Sequence, residues 1–305
     1  MQKTKIIIIG GATASGKTGL SIELAKRLGG EVVSADSMQI YKYMNIGSAK
    51  PTHEEMQGIQ HHMIDVVEPS QNFSVADYSA AAKECIADIA ARGKLPIVCG
   101  GTGLYIESII NDIDFDDTTS DEAYRAELSA FASEFGNPAL YERLVAVDPE
   151  AALKIHANNV KRVIRALEYY HTTGTKISDF QKGTKQKEST YDYKLITIEH
   201  DRAKLYERIN KRVDIMMEQG LINEVQDLLS NHNVSATNTS MQAIGYKELV
   251  GYLNGEDTLD NAIEIIKQES RRYAKRQLTW FRRYPDLIQI PYGAGIIDKA
   301  IELSR

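Results

Sequence analysis

Eight residues, Gly11-Ala12-Thr13-Ala14-Ser15-Gly16-Lys17-Thr18, follow directly on the apolar run Ile6–Ile9. They match GxxxxGK[ST], with a strand-like stretch before them and a helix-like stretch behind, the setting in which that pattern carries meaning. Backbone N–H groups of such a loop point inward at an oxyanion, and the N-terminus of the following helix adds partial positive charge. Lys17 supplies a mobile cation, and the Thr18 hydroxyl stands where it can hold Mg²⁺. The eight residues therefore read as a phosphate cradle. They leave open whose phosphate is held, and whether it reacts or serves as a handle.

Two further segments fall on the same rim. In an open parallel sheet, ligands sit beyond the carboxyl ends of the strands. SADSMQIYK (Ser34–Lys42) follows a short strand over Glu31–Ser34, which brings Asp36 close to the phosphate loop. A carboxylate near bound phosphates is unfavourable unless it binds metal or takes a proton from a reacting group. The alternative is that Asp36 caps a turn. GGTGLY (Gly100–Tyr105) ends another strand; its glycines permit close backbone approach and Thr102 offers a short hydroxyl, although GGTG also makes a good strand-to-helix turn. His61-His62 does not suit a metal, because adjacent helical residues point about 100° apart and do not converge. A structural role is expected there. Cys85 and Cys99 form no CxxC pair, so no zinc site is expected.

Positive charge is concentrated elsewhere. Lys267–Arg283 holds seven Lys/Arg and one Glu in a chain whose net charge is −6. Lys267, Arg271, Lys275 and Arg282 share one helical face, with Ile266, Tyr273 and Trp280 on an adjacent one. A second basic knot is Lys161-Arg162-Val163-Ile164-Arg165. A solvated basic face is the ordinary explanation of such runs. Arginine interleaved with Trp280 and Phe281, on two separate segments, also suits a folded polyanion gripped between them.

These residues need a scaffold that presents strand ends. Up to about residue 110, strand-like segments (Ile6–Ile9, Glu31–Ser34, Leu95–Cys99) alternate with helical ones (Lys17–Leu28, Ser74–Ala91, and a helix from Leu104). Such alternation implies a parallel sheet with helices on both faces. From Asp114 an acidic linker leads into helical sequence including Val160–His171, and Lys194–Glu199 resumes as a strand, with Asp201 placed to cap the next helix. A late strand is expected over Leu287–Ile290. The predicted organisation is a core of residues 1–114, an inserted helical domain of residues 115–190, and the rest of the core with the basic helix over residues 191–305. The chain of 305 residues is 43% hydrophobic and 26% charged, as in ordinary globular proteins. Its longest apolar run is too short to cross a bilayer, and a cytoplasmic location is expected.

In order along the chain, GATASGKT, DSMQIYKYMNIGSAKP, HHMIDV, PIVCGGTGLY, NNVKRVIRALE, ERINKRVDIMMEQGLINEV, TNTSMQAIGYKEL and AKRQLTWFRR resemble the bacterial tRNA dimethylallyltransferase (tRNA isopentenyl-pyrophosphate transferase) family over nearly the whole chain. The resemblance implies an α/β fold, a P-loop-kinase-like parallel sheet flanked by helices with an inserted helical domain. It implies transfer of a dimethylallyl group from dimethylallyl diphosphate to N6 of the adenine 3′-adjacent to the anticodon, on the anticodon stem-loop of tRNA. Carried over by motif, Gly11–Thr18 and Arg212 hold the diphosphate, with Mg²⁺ on Thr18, and Asp36 is the general base. Lys17 and Thr102 complete the catalytic set. Ser37, Met38, Gln39, Thr102, Arg125, Lys161–Arg165, Lys275, Arg276, Gln277, Trp280 and Arg282 meet tRNA. A monomer is expected. Asn159 stands where many members carry Asp, which puts only local helix capping in doubt.

The residue chemistry suits that reaction. An exocyclic adenine amine is a poor nucleophile, and a placed carboxylate taking its proton is worth about 10²–10⁴-fold. Diphosphate leaves an allylic carbon, and its growing charge needs loop amides, Lys17, Arg212 and Mg²⁺. Rival readings are a nucleotide kinase, an RNA-binding protein with a vestigial loop, and a prenyltransferase acting on free adenine nucleotides. A kinase leaves both basic segments unexplained, intact Lys17, Thr18 and Asp36 speak against decay, and the insertion favours a macromolecular acceptor.

Overall fold

A computed structural model describes residues 3–111, 121–185 and 188–304. The chain forms β1 (Thr4–Gly10), α1 (Lys17–Leu28), β2 (Gly30–Ser34), α2 (His53–Met56), β3 (His61–His62), α3 (Val75–Ala91), β4 (Leu95–Cys99) and α4 (Gly103–Ile110). Five helices follow: α5 (Glu122–Phe135), α6 (Asn137–Val147), α7 (Pro149–Ala152), α8 (Val160–Thr173) and α9 (Ile177–Lys185). Then come β5 (Tyr191–Glu199), α10 (Arg202–Glu218), α11 (Leu221–Asn231), α12 (Tyr246–Leu253), α13 (Leu259–Phe281), β6 (Ile288–Pro291) and α14 (Ile296–Ser304).

The strands make one six-stranded parallel sheet in the order β3-β2-β4-β1-β5-β6. The four isoleucines of β1 explain its central place. Ile6 and Ile8 pack with Tyr78, Ile86 and Ile106 from α3 and α4. Ile7 and Ile9 point the other way, against Leu20 and Leu24 of α1 and Ala300 of α14. A strand covered on both faces reads as a continuous apolar run. Local signals set the helix ends: Ser74 and Asp77 form a capping box at α3, and Gly29 closes α1 at φ 66°. Asp201 caps α10 by accepting from the Ala203 and Lys204 amides.

By internal packing the chain divides into one unit of Met1–Ile110 with Thr190–Arg305 and a second of Asn111–Ser189. The break expected at Asp114 lies outside the described residues. In the second unit, Leu128, Leu140, Leu144, Val163 and Leu167 form a separate core. Glu168 is fully buried there, and its carboxylate accepts from Arg125, Arg165 and the Asp121 amide. Asn159 precedes α8 without a side-chain cap.

Three local expectations shift. His61-His62 is a two-residue strand beside Val32–Val33, not a helical pair; its pairing to β2 is a tertiary effect that two residues cannot signal. β5 begins at Tyr191 because Tyr191–Lys194 pairs residue by residue with Thr4–Ile7. β6 ends at Pro291, one residue late. Among the described residues, no helix is long and apolar enough to cross a membrane.

Candidate active site

The phosphate-loop sequence joins β1 to α1 through backbone that needs its glycines: Gly11 has φ +130° and Gly16 φ +95°. Neighbours hold the loop by its carbonyls. Lys17 Nζ donates to Ala12 O (2.6 Å), Arg208 Nε to Ala14 O (2.8 Å), and His200 Nε2 lies 2.8 Å from Ser15 O. Arg212 Nη1 reaches Thr13 Oγ1 at 3.4 Å. The buried Ser15 hydroxyl has no partner among the described residues.

Asp36, just past β2, caps a turn after all, since Oδ1 accepts from the Met38 amide at 2.9 Å. Burial raises its pKa, opposed by that amide and by the charges of Lys17 and Arg212. Burial lowers the pKa of Lys17 and of Arg212. A carboxylate and two cations thus share one desolvated space, each favouring the charged form of the other kind. Thr102 is tied to the same turn: its Oγ1 accepts from the Ser37 amide (3.0 Å), and its own amide donates to Ala35 O (3.1 Å). Gly100 admits that approach, because a Cβ there would stand 2.1 Å from Ala35 O.

Two cavities open on this group. One, of about 80 Å³, is lined by Lys17, Thr18, Val32, Asp36, His61, Ile64, Cys99 and Arg212 among others. The other, of about 330 Å³, is lined by Asp36, Ser37, Met38, Gly47, Arg212, Ile244, Ile266, Glu269 and Arg276 among others. Thr13, Asp36, Ser48, Ala49, Arg212 and Tyr273 line both. Asp36 therefore stands on the wall that the two cavities share.

Other expected residues divide by exposure. Lys161, Arg162, Arg165, Lys275, Arg276 and Arg282 are exposed, and Trp280 is half-buried. Two corrections arise, at Val163–Ile164 and at Gln277. Val163 and Ile164 belong to the core of the inserted unit, so their side chains are not presented to RNA. Gln277 is buried, with Oε1 accepting from the Thr13 amide (2.9 Å) and Nε2 donating to Gly101 O (3.0 Å). Its position in a basic run suggested surface; its place in line with Ala274 and Phe281 on the buried side of α13 was the missed signal. Arg125 is bidentate on buried Glu168, with Nε to Oε1 at 2.7 Å and Nη2 to Oε2 at 3.1 Å.

Sequence reasoning missed two residues. Tyr273 was read only as part of an apolar face, yet it lines both cavities, and burial together with the Asp36 carboxylate pushes its phenol up to about 12. His61 lines the smaller cavity; its Nδ1 lies 2.9 Å from Ile59 O, its Nε2 is buried without a partner among the described residues, and burial lowers its pKa.

A family model described as IPP transferase matches residues 39–284, most of the chain. The chain belongs to this family. It is 52% identical over 285 residues to the tRNA dimethylallyltransferase of Acetivibrio thermocellus, covering 93% of this chain and 91% of that one. The relative of the same name from Bacillus cytotoxicus is 53% identical over 304 residues, covering 100% of this chain and 95% of its own. Among solved structures, the tRNA isopentenylpyrophosphate transferase of Bacillus halodurans superposes with a TM-score of 0.73 at 44% identity, covering 99% of this chain and 97% of that one. A eukaryotic dimethylallyltransferase acting on tRNA gives a TM-score of 0.81 at 32% identity, over 94% of this chain and 74% of that one. The fold and family that the sequence motifs implied are those found. The chain is a prenyltransferase of the kind that modifies tRNA.

Proposed function

We propose that the protein transfers the dimethylallyl group of dimethylallyl diphosphate to N6 of the adenine 3′-adjacent to the anticodon in tRNA, releasing diphosphate. The observation that carries this reading is the meeting of two cavities at Asp36. The smaller is lined both by Thr13, Lys17, Thr18 and Arg212 and by the apolar Val32 and Ile64, the two kinds of surface a prenyl diphosphate requires. The larger leads toward Arg276 on the basic helix α13.

In this reading the loop amides, Lys17 and Arg212 hold the diphosphate. The bond from the allylic carbon to the diphosphate oxygen breaks with its electron pair going to diphosphate, and N6 bonds to that carbon. The N6 proton passes to Asp36. Thr102 fixes the turn that carries Asp36 and Ser37. The charge growing on the leaving group meets preplaced cations, the arrangement that lowers a barrier most.

Thr18 lines the smaller cavity and offers it a hydroxyl oxygen, the kind of donor that suits Mg²⁺. Mg²⁺ commonly keeps waters and takes phosphate oxygens beside few protein ligands, so Thr18 and the diphosphate would hold it, and the ion would neutralise leaving-group charge. Exposed Lys275, Arg276 and Arg282, with Lys161, Arg162 and Arg165 of the inserted unit, would bind the tRNA backbone. The protein would act as a monomer in the cytoplasm, where tRNA is found.

The test is incubation with labelled dimethylallyl diphosphate, Mg²⁺ and bulk tRNA, followed by nucleoside analysis. Label on N6 of the adenine 3′ to the anticodon is expected. Label absent from RNA, or carried only by free adenine nucleotides, would refute the proposal.

A further inference from the structure

The wall shared by the two cavities includes Ser48 and Ala49, with Gly47 in the larger cavity. These residues belong to an irregular segment between β2 and α2, so something other than a helix or strand ladder must fix it. Two side chains do. From the strand side, Gln39 Nε2 donates to Ala49 O at 3.2 Å and to Ser48 O at 3.4 Å. From the other side, the Glu224 carboxylate accepts three successive amides: Asn45 (2.9 Å) and Ile46 (2.7 Å) on Oε2, and Gly47 (3.1 Å) on Oε1. Tyr246 Oη donates to the same Oε1 at 2.7 Å.

Convergent amides of consecutive residues form a concave donor surface that favours an anion. Here the anion is a side chain from the first turn of α11. Tyr246 presses on the same wall by shape: a Cβ at Gly47 would stand 2.4 Å from its ring. Five hydrogen bonds from Gln39 and Glu224, the Tyr246–Glu224 bond behind them and one close packing contact thus set the height of the wall against which donor and acceptor must align.

We propose that Glu224 is a positioning residue for prenyl transfer, fixing the Asn45–Ala49 wall so that acceptor nitrogen and allylic carbon meet at Asp36. This rests on the prenyl-transfer reading above. Glu224 lines neither cavity, so its removal should spare the phosphate loop and the basic helix while disturbing alignment. A displacement of the order of 1 Å away from the reacting atoms can cost about 10²-fold in rate.

The test compares wild type, E224A, E224Q and G47A in single turnover at saturating dimethylallyl diphosphate and tRNA. Inorganic diphosphate binding is measured by calorimetry and tRNA binding by filter retention. E224A should lose about tenfold or more in rate, with both affinities within about twofold of wild type. E224Q should fall between the two, because one amide oxygen still accepts while its NH2 faces a donor. G47A, which strains the wall from the Tyr246 side, should show the same split. E224A at the wild-type rate would overturn the proposal, as would a rate loss matched by an equal loss of diphosphate binding, which marks a general brace of the fold. Should E224A not fold, wild-type rates in both E224Q and G47A would overturn it. An inactive wild type that still binds diphosphate would instead sink the prenyl-transfer reading.

Discussion

Thr13 and Gln277 join the phosphate loop to the basic helix: the Thr13 amide donates to Gln277 Oε1 at 2.9 Å, and Gln277 Nε2 donates on to Gly101 O. One loop amide is thereby committed to α13, whose next turns expose Lys275, Arg276 and Arg282. The residue that sits inside the KRQLTWFR run is thus a brace between the donor loop and the strand-end GGTG turn.

Replacing Gln277 with Leu should then weaken inorganic diphosphate binding by roughly tenfold, equivalent to about 1.4 kcal/mol and within the ~1–3 kcal/mol that a buried group left without its partner costs. Affinity for tRNA in the absence of donor should stay near wild type, because the side chain is buried. Calorimetry with diphosphate and a tRNA filter-binding titration separate the two. A large loss of tRNA affinity with intact diphosphate binding would restore Gln277 as an RNA contact.

Asp36 gives a pH signature. Burial raises its pKa, and Lys17 and Arg212 pull the other way. A base works when ionised, so the single-turnover rate should rise with pH along an acid limb lying above the ordinary aspartate range. Asp36→Asn should cost about 10²-fold or more and abolish that limb while tRNA affinity changes little. Lys17→Ala removes a cation that favours the carboxylate, so at saturating donor the limb should move further up. A limb in K17A that moves down would contradict the coupling.

The sequence was informative where one local rule decides a position. The β1 run, the phosphate-loop pattern and the Asp201 cap each act within a few residues, and all stand where the pattern put them. Asp36 and Thr102 were legible as rim residues because strand ends in a parallel sheet converge by topology. Tyr273, His61 and Glu224 were not. Their positions depend on packing between segments far apart in the chain, as when Glu224 of α11 meets Asn45–Gly47. Tyr273 was half visible: heptad spacing gave its face, but not that this face borders both cavities. The basic knot was read too uniformly, because periodicity within Lys161–Arg165 sends Val163 and Ile164 inward while Lys161, Arg162 and Arg165 remain exposed.

Charge on α13 is to be tested through salt. Lys275 and Arg282 are exposed, so they can meet phosphates without first breaking an internal bond. By contrast, Lys267 pairs with Asp214 at 2.8 Å and Arg271 Nη1 donates to Asn210 at 2.5 Å. Neutralising Lys275 and Arg282 together should make the slope of log K against log salt shallower by about one to two units. The same change at Lys267 should leave the slope nearly unaltered. An unchanged slope in the double variant would remove these residues from the RNA interface.

Whose phosphate the loop holds can be decided without mutation. The residues around the smaller cavity that could contact phosphate include Lys17, Thr18 and Arg212, and Asp36 borders the same space. A nucleotide placed there would put its terminal phosphate, not an allylic carbon, beside Asp36. The donor's diphosphate should therefore occupy the loop and leave intact, with no ATP consumed. Loop amides recognise phosphate oxygens and not a base, so ATP should compete only weakly. Inorganic diphosphate should compete with dimethylallyl diphosphate and appear one for one with modified adenine. Turnover measured after apyrase has removed all nucleotide, with the donor added later, should be undiminished. If modification then stops and resumes on adding ATP, the loop serves a nucleotide, and the assignment of Lys17 and Arg212 to the prenyl donor fails.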